Sequence, residues 1–271
     1  MIKVACLQMA TSDADSKKDR ITHAEQMIDE VAEADLILLP EIWNVSIFAL
    51  DEYSENAEPL NGETISRIAT KAKEVNAYIL AGSIVERVED GSLRNTSVLL
   101  DPKGENIAAY RKIHLVGHHI SGTTNVIEGG EKAIMKGGRE IVAVKTDIGV
   151  LGLSTCYDIH FPELYRKLAI EKGVEIFLHP AAWPITKVDM YFTLMKARAA
   201  ENLCWLVGCL SAGVSHGNVL QGYSVIIEPE GTVVACGLRG AECIVRSEID
   251  ITRIYELRKT LPVYKDRVLP I

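Results

Sequence analysis

Three runs in this chain, Leu36 to Leu39, Ile176 to Leu178 and Leu203 to Leu210, are apolar without a break. A strand with one face in water alternates apolar and polar residues, so an unbroken run calls for a strand covered on both faces. Helical periodicity stands between the runs. Ser16 is placed to cap a helix carrying Ile21, Ala24, Met27, Ile28 and Val31 on one stripe, and Glu63 to Val75 repeats the pattern through Ile65, Ile68, Ala69, Ala72 and Val75. Pro162 opens a third helix that runs to Lys172 and is ended by Gly173, and a fourth spans Val188 to Asn202. Turn residues at Asp90-Gly91, Pro102 to Gly104 and Pro229 to Gly231 mark hairpins. Strands and helices alternate along the whole length with no linker, low-complexity tract or short repeat. Residues 1–271 are therefore expected to form a single α/β domain with helices covering packed sheets. One sheet or two is open at this level.

Several functions are disfavoured by composition. No apolar stretch approaches the roughly 20 residues of a bilayer-spanning helix, so no membrane partner is expected. The opening MIKVACLQMA lacks the apolar core and cleavage site of a secretory signal. Six cysteines (Cys6, Cys156, Cys204, Cys209, Cys236 and Cys243) are too sparse for a disulfide scaffold. A cytoplasmic protein with free thiols is the expectation. A net charge of -8, with no Lys and Arg cluster interleaved with aromatics, argues against nucleic acid as a partner.

Three residues stand where chemistry is possible. Cys156 follows the strand-like VLGLST and precedes Asp158 and Pro162, both suited to starting a helix, so its side chain sits at a strand-to-helix elbow. Glu41 ends the buried run DLILLPE, and a carboxylate delivered by such a strand projects into a polar pocket with a raised pKa, which suits a general base. Lys112, in AYRKIHLV, is a cation able to stabilise a thiolate or a tetrahedral oxyanion. Each has an ordinary structural reading when taken alone: a small buried hydrophobe, a loop cap, a surface lysine.

Taken together, LLPEIWN, YRKIHLV and STCYDIHFPELYR resemble the three signature segments of the nitrilase, or carbon-nitrogen hydrolase, superfamily, in the same order and at similar separations. The likeness extends to LRNTSVLLDPKGE, AAWPITKVDMYFTLMKARAAEN, GYSVIIEPEGTVV and LPVYKDR, almost the whole chain. It implies an α/β fold of the four-layer α-β-β-α sandwich type. It implies Cys156 as nucleophile, Glu41 as general base and Lys112 as the oxyanion-supporting cation. Glu128 in NVIEGG matches a second glutamate of the family, with Glu131 as the alternative. Two-step acyl transfer through a thioester follows, with the backbone N–H of Tyr157 sharing the oxyanion, and neither a metal nor an organic cofactor is implied. The family also implies a homodimer or higher homo-oligomer, the carboxy-terminal segment contributing contacts. His160 departs from the family, which commonly has arginine there.

PEIWN, AAWPITK and LPVYKDR most resemble the omega-amidase branch, which acts on small dicarboxylic acid monoamides. The small-molecule amide would then need a cation for its distal carboxylate, from His118, His119, His160 or Lys187, with Trp183 walling the pocket. A nitrilase or N-carbamoyl amide hydrolase is the enzymatic alternative. Zinc held by His114, His118 and His119 of HLVGHH, and a non-catalytic binding module, are the remote ones.

Overall fold

The computed structural model describes residues 1–117 and 128–269. From the amino terminus run β1 (Ile2–Gln8), β2 (Ala10–Thr11), α1 (Lys17–Asp29), β3 (Leu36–Leu38), α2 (Tyr53–Asn56), α3 (Glu63–Val75), β4 (Tyr78–Arg87), β5 (Leu93–Leu100) and β6 (Asn106–Arg111). The middle holds α4 (Glu131–Ile134), β7 (Ala143–Thr146), β8 (Gly149–Leu153), α5 (Pro162–Glu171), β9 (Ile176–Ala181) and α6 (Val188–Asn202). The last third adds β10 (Trp205–Leu210), β11 (Ala212–Ser215), β12 (Asn218–Gln221), β13 (Val225–Ile227), β14 (Val233–Cys236), β15 (Cys243–Ile249) and α7 (Thr252–Thr260).

There are two large sheets, each of six strands, in the orders β15-β1-β3-β4-β5-β6 and β14-β13-β10-β9-β8-β7. Each has a parallel centre, β1, β3 and β4 in one and β8, β9 and β10 in the other, flanked by antiparallel strands. The unbroken apolar runs are explained by where their faces go. Val4, Cys6, Leu36 and Leu38 pack against Ile176, Leu178, Trp205 and Val207 between the sheets. The alternate residues Ala5, Leu7, Ile37 and Leu39 pack under α1 and α3, while Phe177 and Leu206 pack under α5 and α6. The layers are therefore helix, sheet, sheet, helix.

Local signals account for the helix limits. Ser16 and Asp19 form a reciprocal capping box that starts α1. Asn76 ends α3 in the left-handed conformation, and Pro162 is the first residue of α5.

One glycine positions the site directly. Gly82 interrupts β4 at φ +62°, where the register with β5 shifts between Leu80 and Ser83. A Cβ there would overlap the Pro40 carbonyl and the Trp43 ring, and the neighbouring Ser83 N–H donates to that same carbonyl at 3.2 Å. Pro40 immediately precedes Glu41, so this close approach sets where β3 leaves the sheet. Gly82→Ala is expected to destabilise the protein by about 2 to 4 kcal/mol, from left-handed strain plus a backbone overlap that cannot relax, read as a lower urea midpoint.

Candidate active site

The candidate residues arrive from the carboxyl ends of strands in both sheets, the end at which open α/β sheets generally place ligands. Glu41 lies just past β3, Lys112 directly follows β6, and Cys156 lies just past β8. All three side chains are buried.

Cys156 is the first residue of a five-residue 3-10 turn, Cys156–His160, and has φ +48°. That strained conformation for an L-residue is held by a capping box in which Asp158 accepts from the Thr155 N–H at 2.9 Å. Asp158 does more than cap. Its carboxylate, fully buried, also accepts from the Tyr110 hydroxyl at 2.6 Å and from the His114 backbone N–H at 3.1 Å, and His114 Nδ1 lies 2.7 Å away. One carboxylate thus ties the cysteine turn to the segment carrying Lys112.

Around Lys112 three charges share one buried cluster. Its Nζ donates to Glu41 Oε1 at 2.8 Å and to Glu131 Oε2 and Oε1 at 2.8 and 3.1 Å. Asn95 on β5 reinforces both carboxylates, its Nδ2 donating to Glu41 Oε1 at 2.8 Å and Glu131 Oε1 at 3.0 Å. The Ala182 N–H donates to Glu41 Oε2 at 3.2 Å, and the Val116 N–H to Glu131 Oε2 at 2.9 Å. The Cys156 thiol lies 4.0 Å from the carbonyl of Ala182, the residue whose N–H donates to Glu41 Oε2.

Burial raises the Glu41 pKa; the Lys112 charge opposes it and the Glu131 charge adds to it. The Cys156 thiol is pushed well up by burial and by the negative charge of Glu41, against the pull of Lys112. Burial draws Lys112 down, but Glu131 and Glu41 outweigh it and hold the ammonium well above its usual value. Lys112 therefore does not leave a resting thiolate: the cluster holds a protonated thiol beside a carboxylate with raised proton affinity.

The expectation for Glu128 is corrected. Glu128 is exposed, whereas Glu131, the first residue of α4, is buried on Lys112. Gly129 and Gly130, with φ +87° and +54°, turn the chain between the two. His118 and His119 lie outside the described residues. Tyr157, His160, Trp183, Pro184, Lys187 and Met190 line a hollow with Cys156. His160 stacks on Trp183 at 5.4 Å with 16° between the ring planes, so a flat ring occupies the position at which the family resemblance leads one to expect arginine. Asn95 and Tyr110 were not singled out from sequence, since a strand asparagine and tyrosine have no local mark separating them from surface or core residues.

A family model for carbon-nitrogen hydrolase matches residues 3–259. A 2-oxoglutaramate amidase of Paenarthrobacter nicotinovorans is 34% identical over 273 residues, covering 98% of this chain and 89% of its own. An omega-amidase of Homo sapiens is 31% identical over 270 residues, covering 98% of this chain and 94% of its own. Among solved structures, a CN-hydrolase superfamily protein of Xanthomonas campestris, with an arsenic adduct in its active site, superposes with a TM-score of 0.88 at 25% identity over 100% of this chain and 98% of that one.

Asp158→Ala leaves the Tyr110 hydroxyl and the Thr155 and His114 N–H groups without their acceptor. It is expected to cost about 3 kcal/mol of stability in urea unfolding.

Proposed function

Because the chain belongs to the carbon-nitrogen hydrolase family, we propose that it hydrolyses the terminal amide of small dicarboxylic acid monoamides, with Cys156 as nucleophile, Glu41 as general base and Lys112 as the oxyanion-holding cation. The observation that carries this reading is one buried cluster in which the Lys112 ammonium donates to both Glu41 and Glu131 and the charges of Glu41 and Lys112 both act on the buried Cys156 thiol.

In the first half-reaction the Cys156 sulfur attacks the amide carbonyl carbon as the thiol proton passes to Glu41. The tetrahedral oxyanion is taken by the Lys112 ammonium and the backbone N–H of Tyr157, the second residue of the cysteine turn. Collapse breaks the C–N bond, and ammonia leaves with the proton from Glu41. Water, losing a proton to Glu41, then attacks the thioester, and collapse releases the carboxylic acid and returns the thiol. Glu131 is assigned to positioning Lys112. Its two oxygens anchor the ammonium while the remaining donor faces Glu41, and a displaced or neutral lysine would lose the charge that the intermediate needs. The substrate class is supported by two relatives named as acting at amides of this kind, a 2-oxoglutaramate amidase and an omega-amidase.

Intact-mass measurement during turnover of a short amide is expected to show an acyl adduct on the wild type and none on Cys156→Ala; an adduct persisting in that variant would overturn the nucleophile assignment. Glu41→Gln should lower kcat by roughly a hundredfold to ten-thousandfold, the usual contribution of a general base. The sign of the pH effect follows from the raised Glu41 pKa. The base works ionised, so kcat/KM should fall as pH drops through a value above the ordinary glutamate range, and an acid limb at the ordinary glutamate value would contradict the assignment.

We also read the protein as a cytoplasmic homodimer of single-domain subunits. Support comes from the carboxy-terminal segment, where Tyr255, Leu261, Val268 and Leu269 are exposed apolar side chains that a partner would cover. Sedimentation should give a mass near twice 29.8 kDa, and removal of residues 262–271 should shift it toward the monomer.

A further inference from the structure

Two residues lining the hollow in front of Cys156 carry polar groups for which the described residues supply no partner. Trp183 is buried, and its indole N–H has no acceptor among the described residues. Lys187, on the same hollow, is exposed, and its ammonium has neither an ion pair nor a hydrogen bond among the described residues. A buried donor left unpaired costs free energy that a bound acceptor recovers. An ammonium beside it selects for an acceptor that is also an anion.

Geometry outside the hollow strengthens the case. Lys187 and Met190 are shared with an adjoining groove lined by Tyr223 and Arg239, in which Asp189 is the one acid against two cations. The potential at the mouth therefore favours a negative group arriving from that side. The indole itself is held in one plane by the His160 ring stacked on it, so its N–H is oriented before any ligand arrives.

We propose that Trp183 and Lys187 are the specificity pair for the acyl chain: the Lys187 ammonium binds the distal carboxylate of the substrate, and the Trp183 indole N–H donates to an oxygen of the same chain. The inference rests on the amidase reading above and deepens it, giving the acid-selecting task to a lysine five residues beyond Ala182, on the connection between β9 and α6, and leaving His160 to orient the indole.

The test is a ratio of kcat/KM values, glutaramate over the uncharged pentanamide. The wild type should favour glutaramate. Lys187→Met should lower the ratio by about tenfold or more, Trp183→Phe should lower it by about threefold to tenfold, and Lys187→Arg should hold it within about threefold of wild type. An unchanged ratio in Lys187→Met or in Trp183→Phe overturns the pair while leaving the amidase reading intact. A wild type without preference for the acidic amide overturns the substrate class and the pair together. A second readout needs no change at Trp183: glutarate titrated into wild-type protein labelled with 15N-tryptophan should shift one of the three indole N–H resonances, and three unmoved signals overturn its role.

Discussion

Glu41, Lys112 and Glu131 place three ionisable groups beyond the reach of water, and the rest of the site is arranged around that fact. Removing such groups from solvent costs several kcal/mol each unless they pair closely and their remaining hydrogen-bonding positions are filled. Here Asn95 bridges the two carboxylates and the amides of Ala182 and Val116 fill further positions. Two acids against one ammonium is an imbalance. It keeps the lysine charged, while burial, joined by the charge of Glu131, raises the proton affinity of Glu41 against the pull of Lys112. The proposed passage of a proton from the thiol to the leaving ammonia calls for a base with that poise.

Assembly of this cluster explains why two sheets are needed. Glu41, Asn95 and Lys112 come from one sheet; Cys156 and Ala182 come from the other. The apolar packing between the sheets fixes their separation, and the polar bridge from Asp158 to Tyr110 and His114 aligns the strand ends across it. A second contact of the same type joins Ser97 to Thr155 at 2.9 Å. The positive φ at Cys156 is sustained by these anchors on either side of it.

Much of this was legible in the residues. The helix Glu63–Val75 lies where periodicity puts it, because an apolar stripe with clear ends leaves little freedom. Fully apolar strands announced burial on both faces, but residue pattern alone carries no information on how strands divide between sheets; that came from family resemblance. The two-residue strand Ala10–Thr11, which pairs with Ala212 and Gly213, is too short for any periodic signal. Glu128 and Glu131 flank the same pair of glycines, and only the path of the chain through that turn decides which one faces Lys112. Asn95 was hidden for a related reason: its importance comes from what stands opposite it.

On the proposed assignments, chemistry and selection occupy separate parts of the chain. The groups assigned to the reaction sit at strand ends of both sheets, whereas Trp183 and Lys187 sit on one short connection leading into α6. That separation makes acceptance of a new acyl group an affair of a few neighbouring codons.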